Sequence, residues 1–351
     1  MISPNNYDHF ESIGTSLLPI PLLMAYQPVT FNSTSYPTTI KYIEEILKYS
    51  DHNCEPETPI LYSPNSVFKL VGYHNNFTHD EFDLVNTLRQ TISESLGQDF
   101  GRPIKPLSNL LAQTGPFRVV SSIASQLSSE TAISLFEIGP GAGYLGALLA
   151  HIDANYYSFD VTQSLYIWQN YLFSKISKNK FKDTFQNNKF HPDPSFNNIH
   201  LPWWQYVNFL ENCSLNVDIV YSNSNLGEMS KTALMIALNI SKKMLENSKI
   251  GLFYYFSTGM TSQNSEQQIS AAFIAAGFKL IFTDPFIAYI PEDTDPAGII
   301  NLFSNGISRF DPSNRGGNIS ANEMMSLKRS EAPLDASLAQ WLYGLIPPFI
   351  D

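Results

Sequence analysis

Two cysteines, Cys54 and Cys213, are all that 351 residues contain. That is too few for a disulfide framework, and neither sits in a close Cys/His cluster. The seven histidines, His9, His52, His74, His79, His151, His191 and His200, form no pair at the spacing of metal ligands, so no metal site is expected. Charge is sparse at 15% of residues, the net charge is −11, and no Lys/Arg run forms a basic stripe. Phosphate backbones are held by such stripes, so nucleic acid is not an expected partner. Long apolar runs are missing too. Residues 17–26 are short and broken by Pro19 and Pro21, which excludes a signal peptide or a membrane span there and makes a cytoplasmic location the expectation. Neither a G-x-S-x-G elbow nor a Walker loop occurs, which removes the usual signals of hydrolase and P-loop chemistry.

The residues present suffice for a large core, with 43% hydrophobic side chains. A chain of this length holds two ordinary domains or one enlarged domain. Residues 1–38 are rich in Pro, Asn, Ser and Thr and read as irregular chain wrapping a neighbouring surface. A short helix over 40–47 and a strand over 66–72 follow. Thr78 and Glu81 form a capping-box pattern ahead of a helix with Phe82, Val85, Leu88, Ile92 and Leu96 on one face, stopped by Gly97. Pro116 suits the first residue of the next helix. Residues 1–115 thus read as a helical N-terminal region, 116–305 as an α/β domain, and 306–351 as loop plus a short helix built on Leu338, Trp341, Leu342 and Leu345.

Within the α/β domain the pattern alternates. Apolar strand-like runs at 133–138, 156–159, 198–201, 217–221, 251–256 and 278–282 are separated by helical stretches, and 299–303 supplies a last strand. Alternation of this kind predicts a parallel sheet with helices on both faces. The polar segment 177–198 reads as a solvated surface insertion. The helix over 162–176 carries Leu165, Trp168, Leu172 and Ile176 on one stripe, which is read as core.

The most informative stretch is 133–160. The first strand ends in Glu137, Gly139, Gly141 and Gly143 follow at alternate positions, and the second strand ends in Asp160, 21 residues after Gly139. Strand, glycine turn, helix and strand-terminal acid make a nucleotide-binding βαβ unit. A dinucleotide fingerprint needs a small residue where this chain has Tyr144. A carboxylate at Glu137 would crowd a pyrophosphate but suits a ligand carrying an ammonium and a sulfonium.

On these residues the chain resembles the class I S-adenosylmethionine-dependent methyltransferases, whose glycine loop reads much like 137–143. The resemblance implies an α/β, Rossmann-like, doubly wound seven-stranded sheet whose last strand is antiparallel. It also implies that Glu137, Gly139, Pro140, Gly141 and Gly143 hold the methionine part of S-adenosylmethionine and Asp160 its ribose. Residues 223–229, with Asn and then Glu-Met after the fourth strand, further resemble a bacterial group of sugar O-methyltransferases over residues 80–260.

Ligands in open α/β sheets bind at the carboxyl ends of the strands, which gathers 202–204, 223–228 and 257–260 around the same crevice. One of the Trp203–Trp204 pair is expected to stack on adenine, unless both pack between insertion and sheet. Trp203 and Asn223 are assigned to the cofactor, and Trp204 and Asn225 to the acceptor. Glu228 is the candidate base, with His200 second. The blander alternatives are that Ser224 or Asn225 caps the next helix, with Glu228 in its first turn, and that His200 is a structural hydrogen-bonder. The expected activity is methylation of an oxygen on a small polar acceptor such as a sugar. Two other readings share the loop. Aminopropyl transferases carry acidic polyamine motifs that are missing here, and a binding or scaffold protein would keep the pocket without catalysis.

Overall fold

The computed structural model describes residues 4–26, 76–101, 110, 113–127, 132–186, 190–223, 225–256, 263–283, 286–308 and 319–320. The expected helix at 40–47, strand at 66–72, crevice loop at 257–260 and C-terminal helix lie outside these residues. The strands of the main sheet are β1 Ile133–Ile138, β2 Ala154–Asp160, β3 Phe181–Asp183, β4 Asn198–Pro202, β5 Ile219–Ser222, β6 Leu252–Tyr255, β7 Phe278–Phe282 and β8 Ile287–Pro291. The helices are α1 Pro4–Ser16, α2 Ile20–Tyr26, α3 His79–Phe100, α4 Thr114–Ala124, α5 Tyr144–Leu149, α6 Gln163–Ile176, α7 Trp203–Tyr206, α8 Lys231–Leu245, α9 Glu266–Ala275 and α10 Pro296–Ser308.

The strand order is β3-β4-β2-β1-β5-β6-β8-β7. All neighbours from β3 to β6 run parallel, while β8 pairs antiparallel with both β6 and β7. This is the expected Rossmann-like, doubly wound sheet. The strands are near-continuous apolar runs because both faces are covered, α3–α6 and α10 packing together on one side and α7–α9 on the other. Phe159 stacks on Tyr206 with ring centroids 3.6 Å apart, whereas Tyr156 meets Phe173 of α6. Even- and odd-numbered residues of β2 thus serve opposite layers.

Four expectations need correction. Among the described residues the sheet has eight strands, not seven: Phe181–Asp183, read as solvated insertion, adds a parallel edge strand beside β4. Three residues are too short to show a period in sequence. Residues 299–303 are helical, within α10, and the antiparallel strand is Ile287–Pro291. The apolar run at 299–303 packs its helix on α4 instead of finding a free sheet edge. Residues 4–16 and 20–26 are helices, not irregular chain. Finally, Gly97 lies inside α3, and Gly101 terminates it in the left-handed region at φ 69°.

Glu81 is one of the side chains that fasten the N-terminal region to the α/β domain. Glu81 completes the capping box of α3, accepting from the Thr78 N–H at 2.9 Å. The same carboxylate accepts two bonds of 2.7 Å from the Arg118 guanidinium of α4. Arg118 is 3% exposed, so removing Glu81 takes a bidentate carboxylate from a buried charge. Glu81→Ala is expected to cost about 3–5 kcal/mol of unfolding free energy in urea titration, against under ~1 kcal/mol if the pair behaved as a surface contact.

Candidate cofactor site

The strand order reverses at β1, with β2 on one side and β5 on the other, which opens a crevice at the carboxyl end of β1. The chain leaving β1 passes through Gly139, Gly141 and Gly143, with φ of 63°, 56° and 74°. These values lie in the left-handed region that side chains disfavour. The Gly139 N–H donates to the Phe159 carbonyl at 3.1 Å, and the Gly143 N–H closes the turn on the Pro140 carbonyl at 2.9 Å.

The three glycines are needed for different reasons. A Cβ on Gly139 would lie 2.3 Å from Asn225 Nδ2, and one on Gly143 would lie 3.2 Å from the Gln169 and Phe173 side chains. At Gly141 nothing among the described residues lies within 4 Å. The outer two are demanded by the protein's own packing. Gly141 presents bare backbone to open space.

Below this loop sit two buried carboxylates. Glu137 is 1% exposed and accepts from the Tyr156 hydroxyl at 2.6 Å. Burial pushes its carboxyl up to about 8, against the lowering effect of that bond. Asp160 is 4% exposed; its Oδ1 accepts from the Thr162 N–H at 2.9 Å and its Oδ2 from Gln169 Nε2 at 3.0 Å. Burial again dominates, pushing Asp160 up to about 6. Among the described residues neither acid is paired with a Lys or Arg. Two desolvated acids beside an open glycine face favour a ligand that brings positive charge.

The other residues singled out from sequence are dispersed. His200 is aligned with Ser158 and Glu137 across the sheet, but it is fully buried in the α6 layer. Its ring stacks on Tyr166 at 4.2 Å and meets Phe173 edge-on at 5.7 Å. Burial lowers it to about 3, and among the described residues neither ring nitrogen has a hydrogen-bond partner. It is a core residue and does not face the crevice. The Trp pair forms α7 and is covered by the N-terminal helices. Trp203 stacks with Tyr26 and donates from Nε1 to Glu11 at 2.7 Å. Trp204 meets Tyr7 edge-on, and Gly14 is so close that a Cβ would fall 2.2 Å from its indole.

Asn225 turns toward β1. Its amide nitrogen donates to the Ile138 carbonyl, and its oxygen accepts from the Ser222 hydroxyl. It thereby ties the end of β5 to the glycine loop. Ser230 caps α8, accepting from the Ala233 N–H at 3.1 Å, so that task does not fall to Asn225; Ser224 lies outside the described residues. Glu228 lies in the turn before the helix, half-buried, its N–H donating to the Asn225 carbonyl. Asn223, also half-buried, directly follows β5.

Sequence reasoning passed over α6 and α1. Trp168 Nε1 donates to the Ala142 carbonyl at 2.9 Å, and Gln169 Nε2 to the Gly141 carbonyl at 2.6 Å. From α1, Asp8 accepts from Gln163, which adjoins Thr162, while Glu11 reaches Trp203. The available signal on α6 was a polar residue, Gln169, next to an apolar stripe. On α1 there was none.

The raised acids make a pH prediction. Glu137 keeps its proton in the fold up to about 8 but loses it near 4.5 when unfolded. Asp183, also buried, is raised to about 7. Rising pH therefore favours the unfolded state, by up to ~1.4 kcal/mol per pH unit for each such group. His200 acts oppositely, but only below its unfolded value of 6.5. Stability of the ligand-free protein is expected to fall from pH 6.5 to 8, and Glu137→Gln to flatten that slope in thermal or urea unfolding. A parent slope that is flat or rising would mean that Glu137 is ionised in the fold.

No family model and no curated protein matches this chain. Among solved structures it is similar to magnesium protoporphyrin IX methyltransferase from Synechocystis PCC 6803 with bound SAM, at 11% identity over 60% of this chain and 97% of that one, TM-score 0.35. It is also similar to the N-methyltransferase NodS from Bradyrhizobium japonicum WM9 in complex with S-adenosyl-l-homocysteine, at 11% identity, 60% and 99% coverage, TM-score 0.34. A third is the CcbJ methyltransferase from Streptomyces caelestis, at 10% identity, 58% and 98% coverage, TM-score 0.36. At such scores the likeness assigns no activity to this chain.

Proposed function

We propose that the chain is an S-adenosylmethionine-dependent methyltransferase acting on an oxygen of a small polar acceptor, a sugar being the first class to test. The observation that carries this reading is the pair of buried, cation-free carboxylates, Glu137 and Asp160, flanking a loop whose middle glycine faces open space. A ligand with an ammonium, a sulfonium and a ribose answers each feature. S-adenosylmethionine supplies a methyl group already activated on a positively charged sulfur.

The residues then divide the work. Glu137 takes the ammonium and gives up its proton as the positive charge arrives. Gly141 admits the methionine part against bare backbone. Asp160 accepts from ribose hydroxyls with the lone pairs that Thr162 and Gln169 leave free. Residues 223–228 lie at the acceptor end, where Glu228 receives the acceptor's proton. That step adds to rate, while alignment of the acceptor and exclusion of water supply more. With Trp203 and Trp204 engaged by α1 and α2, those helices and the Trp pair together wall the nucleoside side. The acceptor and the oligomeric form are left to experiment, with no nucleic acid and no metal in the proposal.

Calorimetric titration with S-adenosylmethionine and, separately, S-adenosylhomocysteine tests the reading. One-site binding is expected, weakened tenfold or more by Asp160→Ala and by Gly141→Ala, each tenfold being about 1.4 kcal/mol. Below pH 8, binding should release protons, seen as a dependence of the heat on buffer. Failure of both compounds to bind folded protein would overturn the proposal. Glu228→Gln should leave binding intact and lower turnover against an acceptor panel by about 10²–10⁴. Binding by the parent with no turnover on any acceptor would favour the non-catalytic binding protein.

A further inference from the structure

We infer that Gln169 is the positioning residue of this site: its single amide nitrogen locks the glycine loop to Asp160, so that the two segments hold a ligand as one unit. The inference deepens the function proposed above and rests on it.

The geometry leaves one arrangement for the amide. Gln169 Nε2 is 2.6 Å from the Gly141 carbonyl and 3.0 Å from Asp160 Oδ2. Both are acceptors, so only the NH₂ end can face them, and each of its two hydrogens is committed. The side chain is fully buried, and its Oε1 has no hydrogen-bond partner in the structure. Among the described residues no other hydrogen bond holds the side-chain amide, so it transmits displacement of the loop to the acid, alongside the Gly141 backbone, which also acts on Asp160.

The helix is built for this contact. Trp168 donates to Ala142 from the preceding position. Gly143 comes so close that a Cβ would press on Gln169, Phe173 and Leu172. Consecutive residues of α6 therefore grip consecutive carbonyls of the loop, those of Gly141 and Ala142. Of the two, only Gln169 also reaches Asp160.

The chemistry of the donor matters as much as its place. A Lys or Arg would hold Asp160 equally well but would cancel its charge before a ligand arrived. A neutral amide orients the carboxylate and leaves the negative charge for the ligand. A carboxylate in the same position would offer no donor when ionised and would repel Asp160. The titratable groups that act on this acid are few. Glu137 from β1 and Tyr156 from β2 interact with it. The nearest acid on α1, Asp8, is bonded to Gln163.

Two variants of the full chain test the inference. Gln169→Met keeps length and removes both bonds; Gln169→Glu keeps shape and replaces the donor by a titrating acid. Trp168→Phe, which breaks the Ala142 bond alone, is the control. Carboxyl NMR of the ligand-free proteins follows Asp160 directly. Its midpoint is expected to rise in Gln169→Met and to stay in place in Trp168→Phe. Titration with S-adenosylhomocysteine should show at least tenfold weaker binding for Gln169→Met. For Gln169→Glu the penalty relative to the parent should grow from pH 6 to 9, as the proton shared with Asp160 is lost. A residue that merely filled space would give a penalty independent of pH. The inference is overturned if the folded Gln169 variants bind within twofold of the parent across that range, or if the Asp160 midpoint does not move. Failure of the parent itself to bind, with the Asp160 midpoint moving as expected, would sink the functional reading and leave the lock standing.

Discussion

The reversal of strand order at β1 is the constraint on which the site depends. The chain must leave the central strand of a sheet covered on both faces, and it must turn within a few residues to begin α5. Left-handed glycines make that turn, and Asn225 and α6 close on it from two sides. The side chain just inside the turn, Glu137, then has nowhere to go but the buried face. Its only side-chain hydrogen-bond partner among the described residues is a neutral phenol. Asp160, on the next strand, meets the same fate with neutral amide donors.

Burying two acids without a cation is costly, and the structure shows how the cost is contained. Each acid rises toward protonation, and each keeps hydrogen bonds that limit the rise. The same face of the sheet carries other desolvated polar groups. Asp183 accepts from the Tyr166 hydroxyl at 2.6 Å, and His200 remains neutral without a partner. Low-dielectric surroundings strengthen every interaction made there and penalise each one left unmade. Glu137 and Asp160 are the two of these groups that lie beside the glycine loop.

The N-terminal helices belong to this site as much as to the fold. Tyr7 lies against both Tyr166 and Trp204, Tyr26 against Trp203, and Asp8 and Glu11 bond to the segments that follow β2 and β4. An aromatic pair that looked like a platform for a flat heterocycle is instead the seat on which α1 and α2 rest. The segments that follow β2 and β4 are therefore covered by residues about 150 to 200 positions away in the chain.

Local pattern alone determined a good deal. The capping box at Thr78 and Glu81, the alternation of strands and helices, the alternate glycines and the acids at 137 and 160 were legible because each rests on a period or a turn within a few residues. What tertiary structure decided was partnership. Nothing near residue 181 announces that three residues will extend the sheet, and the apolar run at 299–303 suits strand or helix until 287–291 takes the free edge. His200 looked reactive beside a strand end until the pleat turned its ring into the α6 layer. No motif in the sequence marks Gln169; α6 brings its amide between a carbonyl and a carboxylate from two other segments. Sequence encodes which backbone conformations are cheap. Which side chains meet depends on contacts between distant segments, and those exist only once the sheet is assembled.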